Sequence, residues 1–416
     1  MSLTWLAIAF VIALVAETAV RLWLGSRQIG AVQAHRDRVP EQFSSQIALA
    51  DHQKAADYTV ARVRFGRIGA VLDAALALAL TFGGGIAAID AFWRSLNWQQ
   101  PWLGSAVILS VFLVIEVIRL PFAIWRTFRL EARFGFNRTT PALFVSDLIK
   151  RLLLALLIGV PLLAVVLSLF ERAGQWWWIA VWLVWVITTF ALTWAWPRFI
   201  APLFNRFTPL TDEALRARVE ALLERCGFTS SGLFIMDGSR RSAHGNAYFT
   251  GFGRNKRIVF FDTLIERLAP PEVEAVLAHE LGHFRLRHIR QRLIVTSVGA
   301  LVGLAILAWL AARPDFYTAF GVPQPSAHAA LLLFLIIVPV FMFLATPLGS
   351  WWSRRHELEA DDFAAKHADA SALAAALVKL YRDNASTLTP DRLHSAFYDS
   401  HPPALVRISR LQLKHG

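Results

Sequence analysis

Seven stretches of this chain are apolar enough, or nearly enough, to form the helices of about 20 residues that cross a bilayer: residues 2–24, 68–93, 101–125, 148–170, 176–200, 293–312 and 329–350. No other feature constrains the fold so tightly, because a helix that is apolar all round must lie in a large core or in lipid. Of the 416 residues, 56% are hydrophobic and only 17% charged, more apolar surface than a soluble domain needs. Indole rings favour the membrane interface, and Trp176-Trp177-Trp178 and Trp351-Trp352 stand at the ends of apolar runs. The first stretch lacks a basic leader, carries Glu17 and Arg21 and precedes no small-residue cleavage site, so it reads as a retained span and not as a signal peptide.

The formal net charge of +12 does not imply nucleic-acid binding, because the basic residues gather beside apolar runs instead of on a soluble surface. Their placement orients the spans. Arg27, Arg36, Arg38, Lys54, Arg62, Arg64 and Arg67 lie between the first two spans, and Arg126, Arg129, Arg133, Arg138, Lys150 and Arg151 follow the third. The alternate loops carry little beyond Arg94, Arg172 and Arg313. Cytoplasmic loops collect Lys and Arg, so the amino terminus is expected outside and the polar segments after the fifth and seventh spans in the cytoplasm.

Those two segments share a side of the membrane and can form one domain. The expected organisation is a five-span region over 1–204, a first part of the polar domain over 205–292, a two-span hairpin over 293–350 and a second part of that domain over 351–416. The fold class is mainly α: a polytopic membrane protein of about seven transmembrane helices with a cytoplasmic α+β domain. Within the first polar segment, 212–226 has helical periodicity with Asp212 at its start and Gly227 as its stop, while 233–236 and 257–261 are short β-type runs. Pro270-Pro271 with Glu272 opens a further helix, where proline costs no hydrogen bond and a carboxylate suits the dipole.

That helix carries His279-Glu280-Leu281-Gly282-His283. Residues four apart share a helical face, so both imidazoles can reach one ion while Glu280 projects toward an attacking water. The single Cys226 excludes a disulfide framework and a CxxC metal site, so any metal must use histidine and carboxylate. Catalytic zinc commonly takes three protein ligands, and the stretch after the seventh span offers Glu357, Glu359 and Asp361. Glu357 and Asp361 share a helical face, one to ligate and the other to hydrogen-bond a ligand imidazole. Spacing alone does not choose among the three. Residues 242–250, with Gly245 and Gly251 nearby, suit a β-edge able to pair with an extended peptide. His401, before Pro402-Pro403, belongs in an extended or turn conformation.

Five pieces in order now bring a family into view: Glu-Ala-Arg-Phe-Gly-Phe-Asn at 131–137, Asn246-Ala247-Tyr248 followed by Lys256-Arg257-Ile258-Val259, the His279–His283 core, Ser353-Arg354-Arg355 leading to Glu357 and Asp361, and Ser400-His401-Pro402-Pro403. Over nearly its whole length the chain resembles the type I CAAX prenyl endopeptidases, membrane zinc proteases related to the HtpX-type heat-shock proteases. The resemblance implies a gluzincin-like domain with one Zn2+ per chain, held by His279, His283 and Glu357. It implies Asp361 behind a ligand histidine, Glu359 as a bystander, Glu280 as general base, His401 and Arg407 near the developing oxyanion, and Asn246, Ala247 and Tyr248 along the substrate backbone.

The expected partners are the lipid bilayer and a peptide or protein substrate, with prenylated and membrane-inserted chains as candidates and no nucleic acid. The family name implies cleavage after a prenylated cysteine, and membrane-protein quality control without prenyl specificity is the alternative. Short loops suggest a compact bacterial inner-membrane form. A transporter would show paired broken helices in repeated halves, which are not seen, and a metal-stabilised scaffold would have no use for Glu280. Glu17, Asp73, Asp90 and Glu116 within spans should face protein or water. His244, His288, His356 and His394 read as solvated or structural, with His288 near enough to His283 to act behind it.

Overall fold

The structure, a computed structural model, describes residues 4–228, 230, 232–245, 247–250 and 257–415. Its membrane region begins with α1 (Thr4–Ala34), α2 (Leu49–Leu80) and α3 (Gly85–Ser95), followed by α4 (Trp102–Trp125), α5 (Pro141–Arg172), α6 (Trp177–Ala195) and the short α7 (Ala201–Phe204). Among the described residues, six helical units are long and apolar enough to cross a bilayer, and there are seven if the bent pair α2 and α3 counts as one span. The second span, expected over 68–93, is therefore two helices and not one. It bends by 49° between Leu80 and Gly85, where Gly84 takes a φ of +73° that L side chains rarely adopt. Side chains such as Leu157, Ile187 and Val302 lie exposed on the outside of the bundle, as residues facing lipid must.

Three of the four acidic residues within the spans meet a cation. Glu17 bonds Arg21 at 2.8 Å, Asp73 takes Arg119 from α4 at 2.6 Å, and Asp90 accepts from Arg94 at 2.8 Å and faces the fully buried His328 at 2.9 Å. Glu116 is exposed on α4.

The domain outside the bundle contains a four-stranded sheet built from β1 (Phe207–Pro209), β2 (Leu233–Met236), β3 (Ala247–Thr250) and β4 (Arg257–Phe261), in the order β1-β2-β4-β3. β2 and β4 run parallel, and the outer pairs are antiparallel. β3 is thus an edge strand. The helix α8 (Glu213–Arg225) starts where the Asp212 carboxylate accepts the Leu215 N–H at 3.0 Å and stops before Gly227, whose φ is +62°.

After the one-turn α9 (Asp262–Ile265), α10 (Pro270–Arg285) begins with the Glu272 carboxylate accepting the Ala269 N–H at 2.7 Å. The chain then re-enters the membrane region through α11 (His288–Ala311), α12 (Pro314–Ala319) and α13 (Ala327–Met342). It returns along α14 (Thr346–His367) and closes with α15 (Ala370–Asp383), α16 (Arg392–Tyr398) and α17 (Ala404–His415). One apolar core, including Val219, Phe260, Val273, Leu281, Ala364 and Leu377, joins the sheet to α8, α10, α14 and α15.

Several contacts fix this domain to the bundle, among them one at Arg241 and one at the 131–137 motif. Arg241 donates from Nε and Nη2 to the Asp147 carboxylate on α5 at 2.8 and 3.0 Å, and from Nη1 to Asn205 at 2.9 Å. Beside it, Phe134 and Phe136 pack on Tyr58 of α2, whose hydroxyl donates to Glu131 at 2.7 Å. Phe136 also stacks on His244, so the 131–137 motif braces the loop leading into β3.

Candidate active site

His279 and His283 lie one helical turn apart on α10 and turn the same face toward α14. Helix α14 comes close enough to meet them because Gly282 lies between. A Cβ at Gly282 would stand 3.0 Å from the Ala360 Cα and 3.1 Å from the Phe363 Cβ, contacts tighter than ordinary packing allows. Glu357, one turn before Asp361 on α14, then completes a triangle. His279 Nε2 lies 3.2 Å from His283 Nε2 and 3.3 Å from Glu357 Oε2, and His283 Nε2 lies 3.2 Å from Glu357 Oε1.

Ligand atoms about 2.0 Å from a tetrahedral ion stand about 3.3 Å apart, so this donor set fits a divalent cation. A second observation agrees: Glu357 Oε2 is buried with no hydrogen-bond partner, an expense a folded protein seldom carries without use.

Behind His279, the Asp361 carboxylate lies 2.8 Å from Nδ1. Asp361 is itself clamped by Arg407 of α17, which donates from Nε to Oδ2 at 2.8 Å and from Nη2 to Oδ1 at 2.6 Å. Burial disfavours a charged His279, but the adjacent Asp361 and Glu357 carboxylates favour the protonated ring, outweigh burial and raise its pKa from 6.5 to about 9. The field at this imidazole therefore favours positive charge. Glu280 faces a cavity of about 710 Å³, and burial raises its carboxyl above the usual range.

His401 Nε2 lies 3.4 Å from Glu357 Oε2 on the cavity wall, and its Nδ1 is 2.9 Å from the Ser400 hydroxyl. Arg407 also reaches this wall, though with two of its nitrogens committed to Asp361 its Nη1 stands 3.9 Å from Glu357. Ala247 of the edge strand lines the same space, together with Gln28, Thr59 and Arg62 from α1 and α2. The backbone of Tyr248 continues the edge, and Asn246 lies outside the described residues. The structure thus brings His279, Glu280, His283, Glu357, Asp361, His401, Arg407 and Ala247 together, while Glu359 points away to His288.

Some contributors were not anticipated. Arg354 donates from Nη1 to the carbonyls of Ser395, Ala396 and Asp399 at 3.2, 3.2 and 2.9 Å, tying down the segment that presents His401. Asp391 caps α16 and pairs with Arg27 of α1 at 2.8 Å. Tyr381 lines the cavity and donates to the Pro402 carbonyl at 3.2 Å. Basic and acidic residues flanking spans gave no sign of these long-range pairings.

A donor set that fits a cation and a glutamate with no hydrogen bond among the described residues, opening on a cavity whose other wall is made by spanning helices, place the molecule among the membrane metallopeptidases. Comparison with known proteins narrows the class. Residues 28–206 match the family model described as CAAX prenyl protease N-terminal, five membrane helices, and residues 209–414 match peptidase family M48. The chain belongs to this family.

It is 32% identical over 397 residues to the CAAX prenyl protease 1 homolog of Arabidopsis thaliana, covering 93% of this chain and 92% of that protein. It is 37% identical over 313 residues to CAAX prenyl protease 1 of Saccharomyces cerevisiae, covering 71% and 69%. The crystal structure of S. mikatae Ste24p matches with a TM-score of 0.91 at 28% identity, over 97% of this chain and 98% of that one. The protein is a multi-pass membrane metalloendopeptidase resembling CAAX prenyl protease.

Proposed function

We propose that this metalloendopeptidase uses one zinc ion per chain, held by His279, His283 and Glu357, with Glu280 as the general base. The observation that carries the reading is that the two imidazole Nε2 atoms lie 3.2 Å apart and each lies 3.2–3.3 Å from one of the two Glu357 carboxylate oxygens, beside a glutamate, Glu280, that makes no hydrogen bond among the described residues. Zinc bound there polarises the scissile carbonyl and eases the ionisation of water. Glu280 takes the proton from the attacking water and passes it to the leaving amine, acting as base and then as acid. Its raised pKa favours the second of these transfers. His401 donates to the developing oxyanion, a contribution of about 3 kcal/mol for a well-placed donor. Arg407 assists mainly by holding Asp361 against His279. Asn246, Ala247 and Tyr248 hold an extended substrate in register, a role supported by the position of β3 at the sheet edge.

The relatives' names support prenylated peptides as substrates, and proteolysis of membrane proteins without prenyl specificity is the alternative. Loop charge supports a cytoplasmic catalytic domain. Compact loops support a bacterial inner membrane, although the relatives named above are eukaryotic.

The test uses detergent-purified protein. Wild type and Glu280→Gln should each bind about one zinc, and only the wild type should cleave a quenched fluorescent peptide. Equal cleavage by the variant would overturn the role of Glu280, and failure of the wild type to bind zinc would overturn the ligand set. Faster cleavage of a farnesylated peptide than of its unmodified twin would support prenyl specificity.

A further inference from the structure

We propose that His288, held by Glu359, is a positioning residue that fixes the tautomer and orientation of His283. The inference rests on the zinc-ligand reading above. It begins with a hydrogen count. His283 turns Nε2 into the triangle, so a neutral imidazole that offers that lone pair must carry its proton on Nδ1. His283 Nδ1 lies 3.0 Å from His288 Nδ1. His288 must then accept at Nδ1, which leaves its own proton on Nε2. That nitrogen lies 3.1 Å from Glu359 Oε2, to which it donates. The other Glu359 oxygen accepts from Arg355 at 2.9 Å. Each donor in the chain His283, His288, Glu359 thereby faces one acceptor, and no other assignment satisfies all three while Nε2 of His283 remains free.

The backbone and a second ring build this contact. Between α10 and α11, Arg287 takes a φ of +62°, a left-handed conformation that costs a non-glycine residue about 1–2 kcal/mol and that folds His288 back onto His283. His288 is 2% exposed and stacks face to face on His356, with ring centres 3.9 Å apart and an interplanar angle of 3°. His356 is held in turn through Nε2 by Gln291 at 3.1 Å. The two ligand histidines are thus supported differently: His279 directly by a buried carboxylate, and His283 through an intervening imidazole whose carboxylate reaches the surface.

The same cluster invites a rival reading, because ligand atoms of His288, His356 and Glu359 lie within 4.8 Å of one another, a spacing open to a second metal. The hydrogen count opposes it. A metal on His288 Nε2 would send that ring's proton to Nδ1, where it would meet the Nδ1–H of His283 at 3.0 Å. Parallel stacked rings also point their lone pairs side by side and not toward a common centre.

Zinc affinity, measured by chelator competition on the full detergent-solubilised chain, separates these readings. His288→Phe keeps the stacking ring but removes the acceptor and should weaken zinc binding at least about tenfold, as loss of support behind a ligand histidine does. His288→Asn, whose amide oxygen can stand in for Nδ1, should recover most of that loss. Glu359→Ala, at a half-exposed site that folding tolerates, should weaken binding several-fold. Wild-type affinity in His288→Phe overturns the proposal, and so does wild-type affinity in Glu359→Ala should His288→Phe fail to fold. Two zinc ions per wild-type chain, one of them lost in His356→Phe, would also overturn it in favour of the second metal. A wild type that binds no zinc fails the ligand reading instead, and the two failures are distinguishable.

Discussion

Gly282 and Ala360 bring α10 and α14 into backbone contact: a Cβ on Gly282 would stand 3.0 Å from the Ala360 Cα and 3.2 Å from its carbonyl oxygen. The distance between the two imidazoles and Glu357 is therefore set by the absence of a side chain at position 282. Gly282→Ala should push the helices apart, destabilising the protein by about 1–3 kcal/mol and weakening zinc binding more than it disturbs the bundle. Thermal melting with and without zinc would check this. A variant with unchanged zinc affinity would show that α14 can yield without moving Glu357.

Metal binding should be strongly pH-dependent, in a direction fixed by His279. Its pKa is raised from 6.5 to about 9, with burial working against the shift and Asp361 and Glu357 overcoming it. In the zinc-free protein this charge contributes stability that is fully present below 6.5 and lost as pH rises through about 9. A ligand imidazole must give up that proton, so zinc affinity should climb across the same window. Chelator competition at several pH values and melting of the zinc-free protein should move in opposite directions.

Arg354 supports the reaction from a distance. One guanidinium nitrogen shares its two hydrogens among the carbonyls of Ser395, Ala396 and Asp399, and a hydrogen bond from a charged donor contributes about 1.5–3 kcal/mol. Arg354→Ala should lower kcat at least tenfold, leave zinc binding near wild type, and speed amide hydrogen exchange over residues 395–401. Unchanged exchange there would remove the clamp as the explanation.

Asp391 and Arg27 should make the same segment acid-sensitive. Burial raises the Asp391 pKa, yet Arg27 and the amide groups at the start of α16 outweigh it and leave the carboxyl below its usual value of 3.8. The contact is then worth most above pH 3.8 and is lost as pH falls through the lower folded-state value. Asp391→Asn should mimic that loss at neutral pH. Limited proteolysis should open residues 385–400 in the variant while the bundle stays intact.

Much of the architecture was legible in one dimension because it depends on local pattern. Apolar length marked the spans, and short β-type runs marked β2 and β4 at the bounds the structure gives, 233–236 and 257–261. Asp212 and Gly227 bracketed α8 by the chemistry of helix ends. The break within the second span was missed, since a run of apolar residues has the same hydropathy whether or not a glycine bends it.

What the sequence by itself determined is that two histidines one turn apart share a helical face with a glutamate beside them, because that follows from 3.6 residues per turn. It could not assign Glu357, Glu359 and Asp361 by spacing. Tertiary structure separates them: Glu357 meets both imidazoles, Asp361 stands behind His279, and Glu359, turned away by about 200° around the helix, meets His288. Periodicity fixes the angles between residues of one helix. The rotation of that helix against another is fixed only by packing, here by the contact of Gly282 with Ala360 and by Arg407 arriving from the far end of the chain.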